Sequence, residues 1–282
     1  MAEKACSNTS CTKESCEGCA SANKPQSFLE ELNIYSEIKH VVGIVSGKGG
    51  VGKSMVTASL ANLLASKGYR VGIMDADITG PSIPRMYGLT GPAQADDEGI
   101  YPVLTDNGIK VMSINLLMPD PETPVVWRGP ILANMVKQFW KDVIWGELDY
   151  LLVDMPPGTG DVPLTVFQSI PVDGIMIVTT PQDLVKMIVK KAYNMAQMMH
   201  IPVLGLIENY SYLICPDCGK EIPVFGKSKI DAVADEFGVL VGGKMPIDPA
   251  LTELSDAGAF AKAENQYLEP AYEALQLLKI KE

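Results

Sequence analysis

The amino-acid sequence predicts an α/β fold in which a parallel, twisted β-sheet is flanked by helices on both faces. Short β-branched runs alternate with stretches of helical spacing from residue 41 onward. A glycine-rich loop closes the first run, and aspartates close the second and the third. Strands and helices in this alternation form parallel sheets, which bind ligands at the carboxyl ends of their strands.

The elements follow one another along the chain. Strands are predicted over residues 40–46, 69–77, 148–158, 173–180, 202–209 and, more briefly, 239–242. Helices are predicted over residues 54–68, 130–145, 182–199, 249–258 and 267–279, the first of them ending at Gly68. Residues 88–126 are rich in Gly, Pro and Asp, and we expect loops there with a hairpin around 100–114.

Composition restricts the class of protein. The chain has 282 residues, 47% of them hydrophobic and 20% charged, which suffices for one sizeable α/β core. A net charge of −11 disfavours nucleic acid or an anionic membrane as a partner held by a basic surface. No apolar run is long enough to span a bilayer, and no secretory pattern precedes the domain, so we expect a cytoplasmic protein.

The cysteines lie in two groups. Four of the six fall within the first twenty residues and two form a pair further on: Cys6, Cys11, Cys16 and Cys19, then Cys215 and Cys218. Residues 1–28 are predicted to be a Cys-rich tail that cannot bury enough surface to fold unless a metal organises it. Residues 38–282 are predicted to be a single domain. In a reducing cytosol, such clustering indicates metal or cluster ligands rather than disulfides.

A phosphate-binding loop follows the first predicted strand. The stretch GKGGVGKS matches the pattern G-x-x-x-x-G-K-[ST]. Its backbone N–H groups can surround phosphate oxygens, and the helix that follows adds partial positive charge. Lys53 would reach the β- and γ-phosphates and the Ser54 hydroxyl would bind Mg²⁺, so we expect ATP and Mg²⁺ as ligands. The predicted nucleotide-binding residues are Gly47, Lys48, Gly49, Gly50, Val51, Gly52, Lys53 and Ser54.

Aspartates follow the second and third predicted strands. Asp75 and Asp77 stand in MDADITGPS, and Asp154 stands in LLVDMPPGTGD. One carboxylate at such a position can hold the water shell of Mg²⁺ and another can orient the attacking water. Asp77 and Asp154 are therefore candidate catalytic residues together with Lys53. Helix capping or loop solvation is the alternative, and for Asp75 a structural role is at least as well supported.

Lys48 has no role in an ordinary phosphate-binding loop. A lysine directly after the first glycine resembles the deviant Walker A group of P-loop ATPases, which includes MinD- and ParA-type ATPases and the nitrogenase iron protein. The resemblance implies that Lys48 crosses a dimer interface to the nucleotide of the partner subunit. A cation supplied in this way would be a catalytic group, as arginine fingers are for roughly 10³–10⁵ in rate. A solvated surface lysine is the alternative.

Further motifs narrow the resemblance within that group. They occur in the order DADITGPSIPRMYG, WRGP, YLLVDMPPGTGD, TTPQ, IENYS, CPDCG and MPIDP. Over about residues 38–260 they resemble the Mrp family, also called ApbC- or Nbp-type, of ATP-binding iron–sulfur carriers. The resemblance implies a homodimer, a shared [4Fe–4S] cluster, slow ATP hydrolysis, cluster donor and recipient apo-proteins, and adenine recognition at Asn209.

The cysteine pair in CPDCG supplies too few ligands for one metal centre. A Cys₄ site needs four thiolates, and one chain offers Cys215 and Cys218. A twofold axis beside the pair would supply the other two, so that dimerisation and cluster binding become one event. On the motif alone half a zinc ribbon fits equally well, and only the family context favours iron.

Other positions depart from the family pattern or leave their role open. The N-terminal cysteines are separated by four, four and two residues. The eukaryotic members of the family instead have a long gap, then C-x₂-C, then a further cysteine. A second cluster, zinc and an unliganded tail therefore all stay open. Tyr210 replaces the usual Met, which we expect to leave phosphate chemistry unaffected. Ile188 replaces an Asp found in many relatives. We expect His40 and His200 to be structural.

The function expected from these observations is an ATP-dependent iron–sulfur cluster carrier. The alternative is a MinD- or ParA-like dimerising ATPase with a structural zinc clip at the cysteine pair. The C-terminal stretch YLEPAYEALQLLKIKE lacks the basic face that membrane docking requires. We therefore expect neither a membrane nor a nucleic-acid partner.

Overall fold

A computed structural model describes residues 28–78, 80–118, 129–181 and 185–279. The strands are β1 (Glu37–Ser46), β2 (Val71–Asp75), β3 (Val103–Leu104), β4 (Lys110–Met112), β5 (Glu147–Asp154), β6 (Gly174–Thr179), β7 (Val203–Glu208), β8 (Leu213–Ile214), β9 (Glu221–Ile222) and β10 (Val241–Lys244). The α-helices are α1 (Lys53–Ser66), α2 (Ile83–Met86), α3 (Gly129–Lys141), α4 (Asp161–Ser169), α5 (Val185–Met198), α6 (Ile230–Phe237), α7 (Pro249–Asp256) and α8 (Glu269–Gln276). The N-terminal cysteines Cys6, Cys11, Cys16 and Cys19 lie outside the described residues.

Eight of these strands form one twisted sheet. Their order is β10-β7-β6-β1-β5-β2-β4-β3. All neighbours pair in parallel except β3, which pairs with β4 in the antiparallel sense at one edge. The predicted parallel sheet and the hairpin predicted around 100–114 are both confirmed.

Helices cover both faces of the sheet, which explains the apolar character of its strands. Along β1, Val41 and Val45 belong to the hydrophobic core on one face, which also receives side chains of α3, α4, α5 and α6. Val42 and Ile44 belong to the core on the other face, with side chains of α1, α7 and α8. Because both faces are buried, the strand carries no polar–apolar alternation.

Several predicted boundaries were wrong. The strand predicted over 148–158 ends at Asp154, because the prolines at 156 and 157 lack the N–H that a sheet requires. The helices α4 and α6 were not predicted at all. Helix α4 includes Pro163 in its first turn, and α6 is one short amphipathic segment ending at Gly238, so neither shows a long helical period.

The parallel arrangement brings the carboxyl ends of the central strands to one edge of the sheet. There Asp75 of β2 is the register partner of Asp154 of β5. Likewise Thr179 of β6 is the partner of Glu208 of β7. This edge carries the loop between β1 and α1 and therefore the candidate site. Within the described part of the chain, no helix is long and apolar enough to cross a membrane.

Candidate nucleotide site and cysteine hairpin

The glycine-rich loop joins β1 to α1 in a conformation that only glycine adopts easily. Gly50 and Gly52 have φ angles of 77° and 73°, in the left-handed region. A Cβ atom on Gly52 would overlap the side-chain amide of Asn209, and one on Gly47 would lie 2.9 Å from the carbonyl oxygen of Ile188. The loop thus has both the curvature and the space of a phosphate cradle.

A cavity of about 260 Å³ opens onto this loop. Its walls come from the loop itself, from the residues just after β2, from α2 and from three later segments of the chain. The lining residues are Ser46, Lys48, Gly49, Gly50, Val51, Gly52, Lys53, Ser54, Met55, Asp77, Ser82, Met86, Pro157, Tyr210 and Ser255. All of the predicted loop residues except Gly47 therefore face one cavity, together with the predicted catalytic Asp77.

Asp154 organises the polar centre of the site. Its Oδ1 atom lies 2.7 Å from Lys53 Nζ and accepts a hydrogen bond of 2.7 Å from Thr57 Oγ1. Its Oδ2 atom accepts a hydrogen bond of 2.6 Å from Ser54 Oγ. The carboxylate is fully buried and Lys53 is 6% exposed. A buried carboxylate must be paired with a cation and hydrogen-bonded, and Asp154 meets this requirement with one lysine and two hydroxyl donors.

Asp75 and Asp77 differ in position and in contacts. Asp77 is nearer the cavity, with Oδ2 at 3.9 Å from Lys53 Nζ. Asp75 is fully buried and accepts hydrogen bonds from Ser113 Oγ and from the backbone N–H of Asp77, both of 3.2 Å. Burial and the neighbouring Asp154 raise the pKa of Asp75 to about 8, while Lys53 opposes the shift. Asp75 therefore supports the loop that presents Asp77.

The oxygen atoms of the site fit a magnesium ion. Ser54 Oγ and Asp154 Oδ2 are in direct contact at the base of the phosphate cradle. Hydroxyl, carboxylate and phosphate oxygens are the ligands that Mg²⁺ prefers. Ser54 could bind the ion directly and Asp154 could hold its water shell.

Asn209 ties the end of β7 to the phosphate-binding loop. Its Nδ2 atom donates to the carbonyl oxygen of Val51 at 3.0 Å, and its backbone N–H donates to Thr179 at 2.9 Å. The side chain is fully buried. Adenine recognition by Asn209 stays a prediction, although its position beside the loop is compatible with it. Lys48 lines the same cavity and is half-buried, and its predicted role in a partner subunit is likewise untested.

The cysteine pair lies in the turn of a small antiparallel hairpin formed by β8 and β9. The backbone N–H of Cys215 donates to Lys220 and that of Gly219 donates to Cys215, both at 2.9 Å. Gly219, at φ 69°, closes the turn. Hydrogen bonds from the backbone N–H groups of Asp217 and Cys218, and then from the Cys218 thiol, lower the pKa of Cys215. Such a turn stabilises thiolates, the form that binds metal.

The hairpin is exposed and its metal site is incomplete. Cys215 is partly buried and Cys218 is exposed. The hairpin and the residues just after it also carry exposed apolar side chains, at Ile214, Ile222, Val224 and Phe225. Among the residues that the structure describes, no three metal-ligating side chains come together. The pair therefore offers half of a Cys₄ site on an open, apolar surface.

Two features of the site were not predicted from the sequence. Thr57 was not singled out, although it lies one helical turn after Lys53 on α1, on the side that faces the strand ends. The hairpin around the cysteines was also missed. Its sequence signal is the pair of short β-branched flanks on either side of CPDCG, in LICPDCGKEI.

Comparisons of the sequence with known proteins find a family and close relatives. Residues 37–279 match the sequence model of a family described as ParA: NUBPL iron-transfer P-loop NTPase. A protein of Methanocaldococcus jannaschii is 52% identical over 226 residues, which are 79% of this chain and 78% of that protein. A protein of Clostridium perfringens is 46% identical over 271 residues, 93% of each. Both relatives are named iron-sulfur cluster carrier protein.

Solved structures show the same fold. A nucleotide-binding protein from Archaeoglobus fulgidus, in complex with ADP and with cobalt found in it, is 45% identical. It superimposes with a TM-score of 0.74 over 82% of this chain and 91% of its own. The cell division ATPase MinD of Pyrococcus furiosus is 21% identical with a TM-score of 0.58, over 84% of this chain and 98% of its own. The second likeness concerns the fold alone.

Proposed function

The chain belongs to the family described as NUBPL iron-transfer P-loop NTPases, and on that premise we propose that it is an ATP-dependent carrier of iron–sulfur clusters. The resemblance inferred from the sequence motifs is confirmed by this membership. One observation carries the proposal: Cys215 and Cys218 lie on an exposed hairpin whose turn favours the thiolate form. The hairpin begins at Leu213, a few residues after Asn209, which contacts the phosphate-binding loop.

The cargo is a [4Fe–4S] cluster bound between two copies of the chain. Each copy contributes two thiolates, which together complete the four-thiolate set of such a cluster. The exposed apolar side chains around the pair, such as Ile222 and Phe225, would be covered by the second copy. A cluster held at a subunit interface can be released when the interface opens, which suits transfer to recipient apo-proteins.

Nucleotide chemistry takes place in the cavity above the phosphate-binding loop. Lys53, now paired with Asp154, would turn its charge toward the β- and γ-phosphates. Mg²⁺ held at Ser54 would neutralise charge on the phosphates during their transfer. Asp77, at the cavity wall, would orient the attacking water. Lys48 of each copy would stabilise the transferred phosphoryl group in the other copy, so hydrolysis would depend on the dimer. We propose slow hydrolysis because the family resemblance implies it.

The test is anaerobic reconstitution of the full chain with iron and sulfide, followed by analysis of iron, sulfide and zinc. We expect about two irons per chain at the hairpin, because a four-iron cluster is shared by two chains. Cys215→Ser and Cys218→Ser should each abolish this iron while leaving ADP binding intact.

A matched variant without the N-terminal cysteines shows how much of the iron each group of cysteines binds. Replacing Cys6, Cys11, Cys16 and Cys19 together by Ser leaves the hairpin unchanged and should leave its iron unchanged as well. Additional iron lost only in this variant would assign a second cluster to the tail. Colourless protein that retains stoichiometric zinc at the hairpin would contradict the carrier proposal and leave an ATPase with a zinc clip.

A further inference from the structure

Tyr210 lies where the nucleotide cavity meets the cysteine hairpin. Its side chain lines the cavity. A Cβ atom placed on Gly52 would lie 2.8 Å from the Tyr210 hydroxyl oxygen, so the phenol lies against the residue that immediately precedes α1. A nucleotide with its phosphates in the loop would therefore have this hydroxyl beside it and this ring as a wall.

The backbone of Tyr210 is held in an unfavourable conformation. Its φ angle is 58°, in the left-handed region that non-glycine residues rarely adopt. The backbone N–H of Tyr210 donates to Asn209 Oδ1 at 3.0 Å, while Asn209 Nδ2 donates to Val51. One amide side chain thus fixes both the loop and the Tyr210 backbone. Strain of this kind persists only where the surrounding contacts enforce it, and it is concentrated at functional sites.

The segment that follows Tyr210 reaches the cysteines without a free loop. The Ser211 hydroxyl donates to Glu208 at 2.6 Å, and the Ser211 backbone N–H donates to Met245 at 2.8 Å. The carbonyl oxygen of Tyr212 accepts from Ile247 at 2.7 Å, and β8 begins at the next residue. Four residues separate Tyr210 from Cys215. Tyr210 and the cysteine turn therefore belong to one short segment whose backbone is hydrogen-bonded to neighbouring parts of the chain.

We propose that Tyr210 contacts the bound nucleotide and that this contact positions the cysteine hairpin. The inference rests on the proposed function, since it assigns a nucleotide to the cavity and a cargo to the cysteines. It adds a nucleotide contact at a position where we expected only that phosphate chemistry would be unaffected. The ring shapes the pocket, the hydroxyl donates to the nucleotide, and the residue acts on the cluster as a positioning residue.

Two variants separate the parts of the Tyr210 side chain. Tyr210→Phe removes the hydroxyl alone, and loss of one hydrogen bond should weaken ADP binding roughly three- to tenfold. Tyr210→Asn removes the ring but tolerates the left-handed backbone, so the protein should stay folded. Tyr212→Phe is the matched control, because Tyr212 belongs to the same segment and does not line the cavity. It should bind ADP as the unaltered protein does.

The measurement combines ADP affinity by titration calorimetry with alkylation rates of Cys215 and Cys218, resolved by peptide mass spectrometry on the full chain. In the unaltered protein, saturating ADP should change the alkylation rates severalfold. In Tyr210→Asn, the rates should no longer respond to ADP even when ADP is bound. If Tyr210 had only a structural role, ADP binding and the response of the alkylation rates would be lost together.

The outcomes distinguish this inference from the proposed function. Lys53→Ala should abolish ADP binding, which establishes the cavity as the nucleotide site. If Lys53→Ala abolishes ADP binding but both Tyr210 variants keep the ADP affinity and the thiol response of the unaltered protein, the Tyr210 inference is overturned and the proposed function stands. If the unaltered protein binds no ADP, the nucleotide part of the proposed function is overturned with it.

Discussion

Lys53 Nζ lies 2.7 Å from Asp154 Oδ1, and this buried ion pair joins the phosphate-binding loop to the end of β5. The same carboxylate accepts hydrogen bonds from Ser54 and Thr57, so it is the polar centre on which α1 begins. Binding of Mg–nucleotide would redistribute these contacts, because Lys53 and Ser54 are the residues that phosphate and metal require. Loop geometry and nucleotide chemistry therefore depend on one carboxylate.

Removal of that carboxylate should destabilise the protein strongly. Asp154→Ala leaves the buried Lys53 with only the more distant carboxylate of Asp77, at 3.9 Å, as a counter-charge, so the free energy of unfolding should fall by about 3–5 kcal/mol. Glu269→Ala is the matched control, since it removes the exposed ion pair with Lys67, which solvent screens, and should cost far less. Urea denaturation measures both, and equal effects would contradict the importance of the buried pair.

Gly52 should be intolerant of any side chain. Gly52→Ala adds a Cβ that overlaps Asn209 and also imposes strain at φ 73°, so ADP binding should be lost. Gly108→Ala has a similar φ of 81° with nothing within 4 Å of the added atom, so it should cost only about 1 kcal/mol of stability and leave ADP binding unchanged. Calorimetric titration with ADP distinguishes them. Normal binding by Gly52→Ala would show that Asn209 does not restrict the loop.

Asp75 should make stability depend on pH. Its pKa is raised from 3.8 to about 8 in the folded protein, so between these values the folded state holds a proton that the unfolded state has lost. The free energy of unfolding should therefore fall as the pH rises through this window, by at most about 1.4 kcal/mol per pH unit from this group.

Asp75→Asn tests this by urea denaturation from pH 5 to pH 8. The variant should show a shallower decline than the unaltered protein, since it has no carboxyl to ionise. Ser113→Ala keeps the carboxyl and should keep the decline. An identical pH dependence in Asp75→Asn would show that this group does not titrate as described.

Lys48 should act in the partner subunit. Lys48→Ala should bind ATP but hydrolyse it more slowly by a factor of roughly 10³, and Lys53→Ala should not bind ATP. In a mixture of the two variants, a mixed dimer contains one site in which Lys53 of the Lys48→Ala chain faces the intact Lys48 of the Lys53→Ala chain. Mixing should therefore restore hydrolysis, which a phosphate-release assay would detect. No restoration in demonstrably mixed dimers would place Lys48 in its own site instead.

The sequence predicted which residues line the candidate nucleotide cavity better than it predicted the surroundings of the cysteines, for physical reasons. The loop from Gly47 to Ser54 is a local pattern whose residue types fix backbone geometry, so spacing alone located it. Thr57 could not be found in this way, because its partner Asp154 is 97 residues away and meets it only in the sheet.

Very short strands and residues with strained backbone also could not be predicted from the sequence. The strands β8 and β9 have two residues each, too few for any periodicity, although they determine how Cys215 and Cys218 are presented. The left-handed backbone of Tyr210 carries no sequence signal at a non-glycine residue. The longer strands and helices were predicted because their patterns extend over many residues. The cysteine hairpin and the Tyr210 backbone instead depend on contacts with Met245 and Ile247, which follow β10, and with the phosphate-binding loop.

Native mass spectrometry of the anaerobically reconstituted protein tests the shared-cluster carrier most directly. We expect a dimer whose excess mass equals one [4Fe–4S] cluster at the hairpins in the variant with Ser at Cys6, Cys11, Cys16 and Cys19. The same dimer should lose that mass when Cys218→Ser is added. A cluster retained by single chains, or zinc in place of iron and sulfide, would contradict it.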